Sequence, residues 1–401
     1  MPNPYNFPVA YLNSNDGSAL LAFGELDSLS IFNSNSLIVL SEFINRHKDS
    51  YIFGCLNYNL KNEIEKLTSK NNDHIGFPQV LFFVPKCVVK IDHESFEFVQ
   101  GEKNKENFEF INYFIEEETD QNFHQLEFNW KPRTTKDKYI ESVEALKNQI
   151  RLGNIYEVNY CQEFYDNDVS IDFPLDFYFK LNQITKAPFS VYFQYNEFNL
   201  FCGSPERFLK KTDQKLISQP IKGTAPRHFD PKIDEEYKEM LKNDLKERAE
   251  NIMIVDLVRN DLSKVAEKDS VNVDELCEVY SFENVHQMIS TISCTLKNDQ
   301  SFTDIIRATF PMGSMTGAPK LRAMQIIDEI EDFSRGIYSG TVGYISPNGD
   351  FDFNVVIRSM VYNSSKKYLS CAVGSAITLD SDPEQEYQEC QTKISRILKF
   401  S

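Results

Sequence analysis

Two pairs of glutamates share one spacing. Glu247 and Glu250 lie three residues apart, and so do Glu386 and Glu389. Within a helix this spacing puts both carboxylates of a pair on one face. Two such faces opposed would form an oxygen-only site, a donor set that suits Mg2+. Each pair alone also reads as an ordinary solvated acidic face. Lys393 stands four residues after Glu389, where it can be a simple helix ion pair. Lys222 sits in Pro220-Ile221-Lys222-Gly223-Thr224, a constrained stretch with little space beside it. A lysine there can act as a nucleophile if burial or a nearby cation keeps it neutral; otherwise it is a surface lysine. Glu206, in Gly203-Ser204-Pro205-Glu206-Arg207-Phe208, can serve as a general acid or simply as a turn carboxylate. His286 lies in the largely apolar run from Val285 to Ile292, which fits a satisfied core histidine better than a catalyst. Gly313-Ser314-Met315-Thr316-Gly317-Ala318-Pro319-Lys320 lacks the ending of a nucleotide phosphate loop. It can be a tight turn, or a helix opening that presents N–H groups to an anion.

These residues need elements to hold them. Thr134 or Thr135 can cap a helix through Tyr139, Val143, Leu146 and Ile150, with Gly153 ending it. Asp234 to about Leu262 has a continuous helical pattern. Asp382-Pro383-Glu384-Gln385 is a helix start with cap, proline and reciprocal glutamine in place, and the helix is expected to reach about Lys399. Pro347-Asn348-Gly349-Asp350 is a turn between two strand-like runs, Tyr338 to Ser346 and Phe351 to Ser359. In the second run Phe351, Phe353, Val355 and Ile357 share a face, so Arg358 points the other way, to solvent or into a cleft where its fork suits a carboxylate. Earlier in the chain, Ser36 to Leu40 and Val80 to Val84 read as strands. The charge-rich stretch from Gly101 to Gln121 reads as a surface excursion or a boundary. Strands and helices mixed without regular alternation predict an α+β fold.

Composition narrows the partners. The 401 residues are 41% hydrophobic, ample for a core, and carry a net charge of −18. That charge argues against nucleic acid and anionic membrane surfaces, which need clustered cations. There is no membrane-spanning apolar run, and Met1-Pro2-Asn3-Pro4 lacks the pattern of a signal peptide. Eight scattered cysteines, with no Cys-x-x-Cys pair, read as free thiols of a cytoplasmic protein.

In order, these motifs resemble those of the chorismate-utilising enzymes: the large subunits of anthranilate and 4-amino-4-deoxychorismate (para-aminobenzoate) synthases, and the isochorismate and salicylate synthases. The matching segments are Ser204-Pro205-Glu206, Pro220 to Arg227, Glu250 to Leu257, Arg259-Asn260-Asp261-Leu262, Phe310 to Lys320, Arg335 to Gly340 and Asp380 to Lys393. The resemblance spans about Thr135 onward. It implies one large α+β unit with two facing antiparallel β-sheets flanked by helices. Residues 1–130 would be a β-rich region completing the fold, and 131–401 the chorismate-binding catalytic region.

The resemblance also implies roles. Glu250 and Glu389 become the main Mg2+ ligands, with Glu247 and Glu386 close by. Lys393 assists at the ring carboxylate, and Arg358 and Tyr338 clamp the enolpyruvyl carboxylate. Gly223, Thr224 and the turn from Gly313 to Gly317, including Thr316 and Gly317, line the pocket. Gly374 and Ala376 meet a carboxylate through the backbone, although the family's Gly-x-Gly reads Gly374-Ser375-Ala376 here. Glu206 becomes the acid, and His286 matches a histidine near the ring. Lys222 implies the branch that aminates chorismate at C4 through a covalent lysine intermediate, on the path to folate; anthranilate synthases usually carry Ala there. The isochorismate and salicylate synthases place a base lysine where this chain has Glu157. The tryptophan-site stretch of anthranilate synthases reads Lys186-Ala187-Pro188-Phe189-Ser190. No glutaminase module is evident, so ammonia is expected free or from a glutamine amidotransferase subunit. No lyase module is evident, so the expected product keeps its enolpyruvyl group. Anthranilate synthase and a non-catalytic chorismate-binding regulatory subunit are the alternatives.

Overall fold

The computed structural model describes residues 7–32, 34–93, 95–119 and 127–398. The expectations at Met1–Pro4, Gln121 and Lys399 lie outside the described residues. Two antiparallel sheets, of eleven and ten strands among the described residues, stack face to face; besides the orders below, Lys131–Pro132 pairs with Glu157–Asp166 and Asn272–Ser281 with Val285–Thr295. The first runs from Gly317–Ala318 through Glu157–Asp166, Tyr368–Ile377, Ser359–Asn363, Phe198–Ser204, Phe189–Tyr195, Val9–Asn13, Ser18–Phe23 and Cys87–Asp92 to Ser95–Gln100. The second runs from Ile221–Pro226 through Val285–Thr295, Lys215–Gln219, Arg207–Thr212, Phe351–Asn354, Thr341–Ile345, Ile52–Leu56 and Val80–Val84 to Asp27–Ile31. Each sheet draws strands from both sides of residue 130.

Alternation along the strands separates three cores. Ala10, Leu200 and Phe193 of the first sheet meet Phe53, Phe83 and Val342 of the second between the layers. Their neighbours Tyr11 and Phe201 turn outward onto helices through Phe114, Tyr139, Phe177 and Ile394. The second sheet's outer face packs on helices through Leu40, Ile254 and Ile305. Each such valine, leucine, isoleucine or phenylalanine, fully buried, contributes on the order of 1.5–3 kcal/mol. The two-sheet, helix-flanked architecture is the expected α+β fold.

Several local expectations need correction. Ser36–Arg46 is a helix, not a strand. Leu37, Leu40 and Phe43 are buried while Ile38 and Val39 are exposed, a helical period that a five-residue run is too short to reveal. Within the stretch Gly101 to Gln121, Lys105–Thr119 is a helix with Phe110, Ile111 and Phe114 in the core, so it is not a surface excursion. The helical stretch after Asp234 is two helices, Pro231–Asn243 and Leu245–Ser263. Asp244 breaks it: its backbone is extended, and its carboxylate accepts from the N–H groups of Lys246 and Glu247. The helix Lys136–Arg151 does start at a Thr135 cap. The last helix starts at Pro383 with Asp382 accepting from the Gln385 N–H, as expected.

The strand-like run Phe351 to Ser359 is divided between the sheets. Phe351–Asn354 belongs to the second sheet and Ser359–Asn363 to the first. Arg358 lies on the crossover with φ +50°, not on a strand. The other run starts only at Thr341, which leaves Tyr338 on the preceding turn.

Candidate active site

The sheets exchange strands at two adjacent crossovers. One carries Pro205 and Glu206 from Phe198–Ser204 into Arg207–Thr212; the other carries Val355 to Arg358. They are bonded side by side: the Val355 N–H donates to the Glu206 carbonyl (3.0 Å), and the Gly203 N–H to that of Arg358 (3.2 Å). This junction forms one wall of a cleft of about 540 Å³ that continues into an inner lobe of about 130 Å³. Glu206 lines the lobe, while Lys222, Gly223, Thr224, Arg358 and Lys393 line both spaces.

The two glutamate pairs do face one cleft. Glu247 and Glu250 come from the Leu245–Ser263 helix, Glu386 and Glu389 from the last helix. Lysines stand between them. Lys246 Nζ lies 3.9 Å from Glu250 and 3.8 Å from Glu386, and Lys393 pairs with Glu389 and donates to the Gly374 carbonyl (3.2 Å). Among the described residues, no three His, Cys, Asp or Glu side chains are gathered closely enough to hold an ion. The donor chemistry nevertheless fits a hard cation. Glu250 Oε1 is buried with no hydrogen-bond partner among the described residues. Burial pushes Glu250 up to about 7 against the pull of Lys222, and like charges on Glu157 and Glu247 add to the rise.

Lys222 reaches into the acidic wall. Its Nζ lies 3.4 Å from Glu157 Oε1 and 3.5 Å from Glu250 Oε2. Burial favours the neutral amine, but the carboxylates of Glu157, Glu250, Glu247 and Glu389 outweigh it and hold its pKa above the ordinary value. These carboxylates favour the ammonium form, so attack by this lysine requires that it first give up a proton. Gly223 makes room beside it. Its φ is +100°, and an added Cβ would press on Glu247 and Leu241 at 3.2–3.3 Å. The Asn251 amide holds the strand in place, donating to the carbonyls of Lys222 (3.4 Å) and Met288 (3.3 Å).

Glu206 is buried and accepts from Ser314 Oγ at 2.6 Å. Burial raises it to about 7, despite the Ser314 and Ile221 hydrogen bonds and the charges of Lys222 and Arg358. It can thus hold a proton at neutral pH and release it to a bound group.

Other expected residues sit elsewhere. Thr316 is fully buried and donates to the Met312 and Gly313 carbonyls. Gly317 pairs with Val158, so close that a Cβ would lie 2.3 Å from the Glu157 carbonyl. Neither lines the cleft; Ser314 and Met315 do. The helix after them opens at Pro319 only beyond this short strand. His286 also faces away: its Nε2 lies 3.0 Å from Asp234 and its Nδ1 2.9 Å from Ser281 Oγ. The cleft-lining neighbour is Gln287. Tyr338, Gly374 and Ala376 do line the cleft or its inner lobe.

The sequence model of the chorismate binding enzyme family matches residues 8–399. The chain belongs to that family. Among its relatives, aminodeoxychorismate synthase component 1 of Escherichia coli (strain K12) is 34% identical over 346 residues, covering 86% of this chain and 76% of that protein. The protein of the same name from Bacillus subtilis (strain 168) is 30% identical over 425 residues, covering 98% and 88%. The crystal structure of anthranilate synthase component I from Streptococcus pneumoniae TIGR4 superposes with a TM-score of 0.81 at 26% identity, covering 94% of this chain and 92% of that one. Four cations, Arg358, Lys393, Lys246 and Lys222, line the cleft beside its four glutamates. Sequence reasoning left Glu157 without a role and missed Gln287 and Asn159; of the expected Gly313 to Gly317 turn, Ser314 and Met315 are the residues that reach the lobe. Only position beside Lys222 or in the inner lobe marks Glu157, Gln287 and Asn159.

Proposed function

We propose that this chain is the aminating large component of aminodeoxychorismate synthase, a Mg2+-dependent transferase that replaces the C4 hydroxyl of chorismate with an amine. The observation that carries the reading is Lys222, a lysine inside the cleft, flanked by Glu157 and Glu250 and sharing the inner lobe with the protonatable Glu206. The names of the E. coli and B. subtilis relatives support the same branch.

Lys222 first gives its proton to a neighbouring carboxylate; Glu157 Oε1 is the nearest at 3.4 Å. The free amine then bonds to ring C2, the ring double bonds shift, and the C4–O bond breaks as Glu206 protonates the departing hydroxyl to water. Ammonia next bonds to C4, the double bonds shift back, and the C2–N bond breaks to return the lysine. Two displacements replace one difficult one. Arg358 and Tyr338 would orient the enolpyruvyl carboxylate, and Lys393 the ring carboxylate. Glu250 and Glu389, with Glu247 and Glu386 beside them, would hold Mg2+, which supplies positive charge against a substrate carboxylate. Ammonia would come from a glutamine amidotransferase partner in the cytoplasm.

Purified chain incubated with chorismate, Mg2+ and ammonium is expected to yield 4-amino-4-deoxychorismate, identified by mass spectrometry. Release of fluorescent anthranilate would assign it to the other branch. Chorismate binding without turnover would leave a non-catalytic regulatory subunit.

A further inference from the structure

Gln287 is fully buried, and neither its Oε1 nor its Nε2 has a hydrogen-bond partner among the described residues. Leaving a buried amide unsatisfied is costly, so such a group marks a place where something else completes the bonding. Its direction follows from strand pairing. Gln287 stands opposite Thr224, and His286 opposite Ala225. Cross-strand partners share a face. His286 turns to Asp234, and Met288 packs with Leu241 and Cys277, so the even positions face the helices. Gln287 and Thr224 take the opposite face, where both line the inner lobe.

The chemistry of the lobe selects the ligand group. Its anionic needs are met by Arg358 and Lys393, and Glu206 supplies the acid. A neutral amide adds no charge; it offers one acceptor and two donors, and so matches a group that both donates and accepts. We propose that Gln287 binds the ring hydroxyl of the substrate, Oε1 accepting from it and Nε2 donating to it, and thereby selects a hydroxylated ring. This rests on the chorismate reading above.

Calorimetric titration of the full chain carrying Lys222→Ala, so that no covalent adduct forms, with Mg2+ and without ammonia tests it, using chorismate and an analogue whose ring hydroxyl is replaced by hydrogen. This parent, with Gln287 intact, is expected to prefer chorismate by roughly ten- to a hundred-fold. Gln287→Leu is expected to cut that preference at least about five-fold, Glu206 holding the remainder, and Gln287→His, which can still donate or accept, to restore part of it. If Gln287→Leu folds poorly, Gln287→Met reads the same ratio, which a purely structural role would leave unchanged. A variant that binds the deoxy analogue normally and keeps the full preference overturns the assignment while leaving the chorismate reading intact. A parent that binds neither ligand overturns both.

Discussion

Two of the buried charge clusters among the described residues differ in how completely their atoms are satisfied. In the first, Arg335 donates to both Glu331 oxygens (2.9 and 2.5 Å) and to the carbonyls of Met315 (2.7 Å) and Asn159 (2.8 Å). Glu331 also accepts from the Cys161 N–H at 2.9 Å, and the guanidinium lies 4.7 Å from the centre of the Tyr58 ring. Nearby Lys61 donates to Asp328 (2.5 Å) and Asn62 (2.8 Å). In the cleft, Lys222 and Lys246 stand 3.4–3.9 Å from their carboxylates, and Glu157 Oε2 and Glu250 Oε1 have no hydrogen-bond partner among the described residues. Burial lowers the pKa of Lys61 despite Asp328, whereas the carboxylates around Lys222 raise its pKa despite burial. Charges bonded on every side hold a frame; charges left loose can rearrange around a ligand.

The contrast is sharpest in the effects of removing one member. Lys222→Ala is expected to lower chorismate amination at least about a thousand-fold while shifting the unfolding midpoint by no more than about 3 °C. Intact-mass analysis should find a substrate adduct on the wild type and none on the variant. Turnover near wild type would remove the covalent role and blur the distinction between the clusters.

Arg335→Met should show the reverse balance. It strands the buried Glu331, an expected loss of about 3–5 kcal/mol in denaturant unfolding. Adding Glu331→Gln should recover part of it. A loss below about 1 kcal/mol would place this pair with ordinary surface ion pairs.

Glu206 gives the smallest of the three effects and ties it to pH. An acid works in its protonated form, so kcat is expected to fall as pH rises through about 7, the value to which burial lifts this carboxyl. Glu206→Gln should lower kcat about a hundred-fold and flatten that limb. A wild-type profile flat from pH 6 to 8, or an unchanged limb in the variant, would assign the proton to another group.

The sequence made the charged half of the site legible because its residues come in ordered motifs, and the helix bearing Glu386 and Glu389 follows a clear period. The neutral half was hidden for a physical reason. Val285–Thr295 is buried on both faces, so hydrophobic alternation does not say which residue looks into the cleft, and a shift of one position exchanges His286 for Gln287. Arg358 was misplaced for a related reason: the alternation of Phe351, Phe353 and Val355 continues past Asn354, although the chain changes sheets there. The protonation of Lys222 was not legible, because it depends on Glu157, distant in sequence and brought alongside by the fold.

The paired crossovers constrain how the gene can vary. Glu206 and Arg358 ride on short segments anchored at each end in a different sheet and bonded to one another. A one-codon insertion between Ser204 and Arg207, or between Asn354 and Ser359, would force a register slip in a strand at one end. Between Ile345 and Phe351 the exposed Pro347-Asn348-Gly349 turn can absorb added length at little cost. Length variation in homologous genes should therefore gather at such turns, while the spacing across both crossovers stays constant.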